Sequence, residues 1–485
     1  MRAMLPAALT TVLALFGAGA GLAQEGGSGP SVMAVPGAPR PMGLYPAQVP
    51  GQYLGGVTEG NATDGELALS LDDAIQRGLK NNLGTLVNDQ ERRRSQAMRL
   101  QTLADMLPNL FARTQGSEQQ INLAAFGFSN FPGIAPVVGP FGLFDVRAYL
   151  TQRVLDFKSI RSTQASGQMV KAALQNYQNS RDTVALVVGG LYLQTLAGES
   201  RMESERAQVK TAEAVYNQAV DYKKSGVIPA IDVLRAQVEL EADRQKLVSA
   251  SNDFEKTKLS LAQAIGLPLA QRIRLTDRLS PESAPPVTLN QALDRAYDNR
   301  SDYRSAQSLV KAAEFARRAA VAENYPTVAA SFDYGSIGQS ITQNHGTFTA
   351  AIGVNIPIYE GGRTEAKVAE ADAVLKQREA ERDALRSRIE FEVRSVFLDL
   401  KSTLDQVTLA ANAKTLAETQ VSQAQDRFAA GVATSLEVVQ AQQALAVASD
   451  NYISSLFNYN LAKGSLARTA GQAEKLFRLF VLGDK

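Results

Sequence analysis

One interval of this sequence limits its possible folds more than any other: from Arg363 to Ala430 there is neither glycine nor proline. Within it, hydrophobic and β-branched positions step by 4, 3, 4, 3 and 4, the spacing of a heptad seam. These positions are Ile389, Val393, Val396, Leu400, Thr403 and Val407. A helix of about 65 residues is roughly 100 Å long. The sequence therefore predicts a long coiled-coil arm.

The first half of the chain contains a similar interval, from about Lys158 to Tyr222, without proline but with glycines. Those glycines indicate either a curve in the helix or close contacts with its neighbours. They are Gly167, Gly189, Gly190 and Gly198. Each arm then stops at a glycine, Gly226 or Gly431, as many helices do. The chain restarts as a helix and continues to Gly266 or Gly471.

The two halves share blocks of sequence in the same order. Residues 71–82 align with 289–300 at an offset of 218, and residues 219–237 align with 424–442 at an offset of 205. Two registered blocks per half predict an internal duplication. The change in offset assigns extra residues to the first half, in a loop between Pro108 and the long helix.

Each half begins with a shorter predicted helix, over 67–107 and 286–325. The Asn81-Asn82 pair is predicted to break or bend the first of these. The two long hairpins are predicted over 157–266 and 361–471. In each of them the return arm is too short to cover the full length of the outgoing arm. Each return helix is therefore predicted to stack end to end on the next repeat's first helix.

Beta-hairpins are predicted between these helices, over 108–156 and 326–360, because the apolar period changes there from 3.6 to 2. Asp145 and Arg147 alternate with apolar Phe144, Val146, Ala148 and Leu150. This pattern is typical of barrel strands with a lipid-facing side and a water-lined side, and it predicts that Asp145 and Arg147 face the lumen. The alternative is a half-buried strand of a soluble sheet.

Composition indicates the nature of the remaining segments. Residues 1–23 have the basic start, apolar run and small-residue end of a signal peptide. Residues 24–66, rich in Gly, Pro and Ser, are predicted to be extended or disordered without a core of their own. Residues 267–285 form a predicted mid-height linker, and 472–485 a C-terminal tail.

The residue inventory excludes several chemistries. The chain has no cysteine, which excludes disulfides, thiolate metal sites and lipidation of an N-terminal cysteine. The one histidine, His345, falls in a predicted loop and is expected to be exposed rather than catalytic. With 50 basic and 49 acidic residues, no bias toward nucleic acid exists. We expect no catalysis, no metal and no cofactor.

Apart from the signal sequence, no stretch of about 20 apolar residues predicts a membrane-spanning helix. A chain like this enters a membrane only as a β-barrel, and the four predicted strands cannot close one. Barrels of even strand number begin at eight, so two, three or four chains must pool their strands.

Several motifs resemble those of the outer-membrane efflux proteins of the TolC type. The motifs are Leu107-Pro108-Asn109-Leu110, Tyr325-Pro326-Thr327-Val328, Asn299-Arg300-Ser301-Asp302-Tyr303, Ile358-Tyr359-Glu360-Gly361-Gly362-Arg363, and Phe428-Ala429-Ala430-Gly431 followed by Ser435-Leu436-Glu437-Val438-Val439. The resemblance covers about residues 67–471.

The resemblance implies a mainly α-helical fold with a transmembrane β part, in which a homotrimer pools its strands into a twelve-stranded barrel in the outer-membrane lipid. Its helices would form a periplasmic α-barrel, whose tips meet a periplasmic adaptor (membrane fusion protein) and an inner-membrane pump of the RND or ABC type. Small-molecule efflux is favoured. The alternatives are a type I protein secretion duct and a soluble periplasmic coiled-coil adaptor.

The resemblance also assigns roles at the tips. Family members close their tunnel with acidic rings; Glu437 stands at the first ring position here, whereas Gln440 replaces the second acid. Glu437 is the predicted narrowest charged ring, the alternative being a solvated coiled-coil charge.

Other tip residues complete the predicted gate. Asp232 stands at the first-hairpin acidic position, and Arg235, Lys223 and Lys224 are predicted to pair with Glu437 or Asp426. The residues predicted to contact the adaptor are Gly226, Val227, Gly431 and Val432.

Overall fold

The computed structural model describes residues 51–127, 133, 135–282 and 287–482. The predicted signal peptide and residues 24–50 of the predicted N-terminal segment lie outside the described residues.

The described helices are α1 (Leu71–Asn81), α2 (Leu83–Ala104), α3 (Phe157–Lys224), α4 (Ala230–Ala264), α5 (Leu289–Asn299), α6 (Ser301–Val321), α7 (Arg363–Ala429), α8 (Ser435–Thr469) and α9 (Ala473–Leu482). The strands are β1 (Leu67–Leu69), β2 (Asn109–Asn122), β3 (Val137–Leu155), β4 (Ile273–Leu275), β5 (Thr327–Gly338) and β6 (Asn344–Asn355). None of the described helices is long and apolar enough to cross a membrane.

The two long arms are continuous helices. Helix α3 has 68 residues and α7 has 67, and at 1.5 Å per residue each is about 100 Å long. Along its first part α3 contacts α2 and α6; Ser305 Oγ, for example, donates to the carbonyl of Ala172 at 3.1 Å. Beyond Gly198 the partner is α4, through Phe254. One long helix therefore pairs with shorter helices in succession, as the helix lengths predicted.

The predicted break in the first helix is present at Asn82. This residue has an extended backbone and its side chain accepts a hydrogen bond from Gly84 N at 2.9 Å, which caps α2. Its amide nitrogen donates to the carbonyls of Tyr53 and Ala264. A buried asparagine thus ends one helix, begins the next and satisfies two neighbouring carbonyls.

Part of the N-terminal segment predicted to be extended or disordered packs against the core of the rest of the chain. Tyr53 lies in the main hydrophobic core, and its ring occupies the space that a Cβ on Gly84 would need, 2.2 Å away. Tyr53, with Leu54 beside it, is the part of residues 51–66 that reaches the core, whereas residues 57–66 are exposed. The segment therefore adds one aromatic anchor to a core that other elements build, and it has no core of its own.

Two further elements at mid-height are absent from the sequence predictions. Strands β1 and β4 pair in parallel, Leu67 opposite Ile273, so a strand begins the segment predicted as the first helix and another lies in the predicted linker. The C-terminal tail contains α9, which packs against α3 and α8. The main core collects apolar side chains from all these elements, among them Leu69, Leu71, Ile75, Val188, Tyr192, Leu261, Ile265 and Phe477.

The ring of Phe477 joins α9 to the two helices beside it. It lies against Gly189 of α3 and Gly464 of α8, where an added Cβ would stand 2.3 and 2.4 Å from the ring. Close contact, not curvature, is therefore the role of Gly189. At the start of α9, Arg181 pairs with Glu474 at 2.5 Å and Glu474 N donates to Asp182 at 3.1 Å. At its end, Lys463 Nζ donates to the carbonyl of Val481 at 2.9 Å.

Strands β2, β3, β5 and β6 form an antiparallel sheet in the order β2-β3-β5-β6. The register aligns Leu110, Leu150, Phe332 and Ala350 across one face, and beside them Ala112, Ala148, Tyr334 and Phe348. We call this the apolar face. The opposite face, here called the polar face, contains Arg113, Gln115, Asp145, Arg147, Asp333, Thr347 and Thr349. The alternation predicted from the sequence therefore separates two chemically distinct faces.

We predict that Phe477→Ala lowers the free energy of unfolding by about 3–5 kcal/mol, because it empties a slot between two rigid helices. Circular dichroism during denaturant unfolding measures the change. Phe126→Ala is the matched control, since the Phe126 side chain is 70% exposed and its removal should have little effect. Equal losses in the two variants would contradict the assigned role of Phe477.

Candidate functional site

The turn between α3 and α4, the first tip, is closed by backbone hydrogen bonds around Gly226. Gly226 N donates to the carbonyl of Lys223 at 3.1 Å and Val227 N to that of Tyr222 at 2.9 Å. Gly226 has a φ of +76°, the left-handed conformation that glycine adopts without strain. These bonds satisfy carbonyls that the end of α3 leaves open.

The turn between α7 and α8, the second tip, repeats this geometry. Gly431 has a φ of +74°, and its N–H donates to the carbonyl of Phe428 at 3.0 Å. Val432 N donates to the carbonyl of Arg427 at 3.0 Å. The two tips therefore have the same backbone shape. Each has an exposed valine beside its glycine, Val227 in the first tip and Val432 in the second.

The tips pack against each other through an aromatic pair. The rings of Tyr222 and Phe428 are 5.6 Å apart, and Tyr222 Oη donates to the carbonyl of Ala429 at 3.0 Å. A small apolar cluster continues the contact up the helices. Its buried members are Val215, Ala219, Ala236, Val421, Ala424, Phe428, Val438 and Ala441. Each hairpin therefore holds the end of the other.

Asp232 makes the polar link between the tips. Its carboxylate accepts a hydrogen bond from Ser435 Oγ at 3.2 Å and pairs with Arg235 at 3.3 Å. Asp232 is 8% exposed, so water cannot replace these partners at low cost. The structure thus brings the predicted gate residues Asp232 and Arg235 together, and it adds Ser435, which the sequence placed in the tip motif without a role.

Glu437 has a different partner from those predicted. It pairs with Arg427 of its own hairpin at 3.0 Å, whereas Lys224 pairs with Asp221 at 3.0 Å. In the described chain, Arg235 and Lys224 therefore pair with acids of their own hairpin instead of with Glu437 or Asp426, and the pairing of Lys223 stays a prediction. The reason is proximity, because an ion pair between two residues of the same hairpin costs less chain entropy than a pair between two hairpins.

Asp426 and Gln440 lie exposed on the tip surface. The structure brings neither of them into the contact between the two hairpins. Arg427 was not predicted as a partner of Glu437. The only sequence signal was its position four residues before the turn glycine, in the last turn of α7, where basic residues are common.

Asp145 and Arg147 share the polar face of the sheet, at the other end of α3. Arg147 donates to Asp333 on the neighbouring strand and to Thr347 Oγ1 at 2.9 Å. Its contact with Asp145 is 3.4 Å long. Gly335 lies opposite Arg147 in the register, and a Cβ there would overlap Arg147. The glycine therefore makes room for an arginine that crosses three strands.

The sequence model for "outer membrane efflux protein" matches residues 74–267 and again 292–472. The chain belongs to the outer membrane efflux protein family.

Individual relatives are distant. The outer membrane efflux protein BepC of Brucella suis is 24% identical over 312 residues, which cover 61% of this chain and 65% of that protein, slightly less than two thirds of its length. The pyoverdine export outer membrane protein OpmQ of Pseudomonas aeruginosa is 25% identical over 400 residues, 79% of this chain and 81% of that protein.

Solved structures share the fold. The outer membrane protein VceC of Vibrio cholerae superposes with a TM-score of 0.70 at 17% identity, covering 83% of this chain and 96% of VceC. The CmeC outer membrane channel of Campylobacter jejuni gives a TM-score of 0.73 at 14% identity, covering 90% of this chain and 93% of CmeC.

We predict that Ser435→Ala loosens the tips more than Glu437→Gln does. The first change removes a hydrogen bond from a buried carboxylate, which costs about 1–3 kcal/mol, whereas an exposed ion pair contributes about 0.2–1 kcal/mol. Amide hydrogen exchange, followed by mass spectrometry in both turns, measures the difference. Faster exchange in Glu437→Gln than in Ser435→Ala would show that Asp232 is not the main polar link.

Proposed function

We propose that this protein is the outer-membrane exit duct of a tripartite export machine that expels small molecules. The observation that carries the proposal is that one continuous helix, α3, has the amphipathic sheet at one end and the paired tips at the other. The amphipathic sheet precedes α3 directly, with Leu155 ending β3 and Phe157 beginning the helix. The paired tips lie at the other end, about 100 Å away by helix rise.

Family membership and the names of the relatives support this proposal. BepC is named as an efflux protein and OpmQ as an export protein, both of the outer membrane. A further relative is named as a probable efflux pump outer membrane protein, TtgC of Pseudomonas putida. The predicted signal peptide, residues 1–23, agrees with export to that membrane, and the absence of cysteine from the sequence agrees with a protein that is not lipidated.

The sheet supports assembly into a trimer. Strands β2 and β6 are its edges, and three copies joined edge to edge would give twelve strands and leave no backbone group unpaired in lipid. In this arrangement the apolar face meets lipid, while Asp145 and Arg147 line the water-filled lumen. The double match of the family model supports our proposal that the chain arose by internal duplication.

The tips support a gate that opens when the two hairpins of each chain separate. Opening would break the Tyr222–Ala429 and Asp232–Ser435 hydrogen bonds between the tips, and the exposed Gln443–Glu239 contact above them. A periplasmic adaptor bound at both turns, and an inner-membrane pump of the RND or ABC type behind it, would supply the differential binding energy that opening needs. The two turns match in shape, so one adaptor motif fits both.

We predict that Gly431→Trp abolishes export of a fluorescent dye from cells while trimers still accumulate in the outer-membrane fraction. A Cβ at Gly431 points into open space, so the indole overlaps no atom of the hairpin and blocks the docking surface, at the positive-φ cost that any L residue pays there. Gly431→Ala is the control, since it adds only the cost of a positive φ, about 1 kcal/mol, and should retain export. Normal dye export by Gly431→Trp cells would refute docking at this turn.

We also predict that Glu437 sets ion preference at the tips. Three Glu437 carboxylates near one axis would attract cations, and each is partly neutralised by Arg427 at 3.0 Å. Glu437→Gln should therefore lower the cation-to-anion permeability ratio in single-channel recordings, and Arg427→Gln should raise it. Asp426→Asn, an exposed acid of the same tip, should change neither. An unaltered ratio in Glu437→Gln would leave Glu437 as a solvated surface charge.

A further inference from the structure

A cavity of about 750 Å³ lies between the two helical hairpins, above the tips. Helices α3 and α4 line one side, α7 and α8 line the other, and residues 274–279 close it toward mid-height. Its volume falls in the range of sites that hold drug-sized molecules, about 300–1,000 Å³. The gate and the docking turns described above do not use this cavity.

Two carboxylates of α3, Glu199 and Glu203, line the cavity one helical turn apart. Like charges at this spacing destabilise a helix by a few tenths of a kcal/mol, about 0.2–0.5. In the described part of the chain, no ion pair shorter than 4 Å joins either of them to a basic side chain. Burial raises the pKa of Glu199, and the charge of Glu203 raises it further, although Lys258 and Arg278 act in the opposite direction.

Most other charges of the cavity already have partners. Asp243 pairs with Lys246 at 2.9 Å, and Lys414 pairs with Glu418 at 3.6 Å. Asp277 accepts hydrogen bonds from Leu71 N at 2.8 Å and from the hydroxyl of Tyr192 at 2.7 Å. Arg274 and Arg278 also line the cavity, so its lining has five acidic and three basic side chains. An excess of negative charge remains, and Glu199 and Glu203 are the acids on the α3 side.

The rest of the lining combines aliphatic and aromatic side chains with hydroxyl and amide side chains, and the apolar ones form the walls beside the acids. They include Leu196, Leu279, Val421, Leu445, Tyr452, Ile453 and Leu456. Gln442 also lines the cavity; it is 8% exposed and its amide nitrogen has no hydrogen-bond partner in the described residues. The described residues contain no group of three or more acidic or histidine side chains placed to hold a metal ion. Negative charge beside apolar walls fits an organic cation.

We propose that this cavity binds small organic ammonium compounds with an apolar body. The ammonium group lies against Glu199 and Glu203, with charge-assisted hydrogen bonds to the carboxylates. The apolar body lies between α3 and α8, against Leu445 and Leu456. A bound molecule contacts both hairpins of the chain.

Equilibrium titration of the purified protein with dansylcadaverine tests this, because the dansyl fluorescence reports transfer to an apolar site and the amine is charged at neutral pH. We expect saturable binding that Glu199→Gln/Glu203→Gln weakens at least about tenfold, the loss expected for one charged hydrogen bond. Ala207→Trp, which fills the cavity from an exposed position of α3, should remove the binding.

Two controls separate this site from general adsorption. Asp294 and Asp298 form an exposed acidic pair of the same spacing on α5, away from the cavity, so Asp294→Asn/Asp298→Asn should bind as the unaltered protein does. Acetylated dansylcadaverine, which has no charge, should bind at least about tenfold more weakly. Equal binding of the neutral analogue, or unchanged affinity in both cavity variants, would overturn the proposal. The titration measures no transport, so its outcome is independent of the proposed duct.

Discussion

Two helices of 68 and 67 residues impose the main constraint on this molecule, because an isolated helix of that length has no core of its own. Stability must come from neighbours that cover it in succession. Helix α3 meets α2 and α6 first and α4 later, so its partners change partway along its length. The structure concentrates its largest core there, with β1, β4 and α9 around Tyr192 and Phe477. The mid-height region therefore fixes the relative positions of the long helices, whose ends lie far away at the sheet and at the tips.

The charges at the tips differ in how firmly they are held. Asp232 is buried and bonded to Ser435 of the opposite hairpin. Breaking this hydrogen bond leaves the buried Ser435 hydroxyl without water or a partner. Glu437 and Arg427 are 44% and 56% exposed, and solvent screens their attraction. A contact that must hold the tips together benefits from burial, whereas a charge that must face permeating ions has to stay in water. The two acids therefore suit different tasks in the proposed gate.

Much of the fold could be predicted from the sequence because it depends on local signals. The long helices follow from an interval without Gly or Pro, their ends from Gly226 and Gly431, and the sheet from a change in apolar period. The elements that were missed depend on distant contacts. Strands β1 and β4 have three residues each, and Tyr53 is a single aromatic in a glycine-rich segment, so neither gives a periodic signal. The same limit applies to the site, where Arg427, four residues before its turn glycine, displaced the more distant predicted partners of Glu437.

The sheet shows how backbone register and side-chain chemistry depend on each other. Arg147 can reach Asp333 and Thr347 only because Gly335 lies directly opposite it in the register. A shift of one residue between β3 and β5 would move Arg147 to the apolar face and leave its charge without a partner. The β3–β5 pairing joins the two halves of the chain, and no short turn fixes its register. The polar cluster around Arg147 therefore selects one alignment of the halves, and this alignment also keeps the apolar face continuous across all four strands.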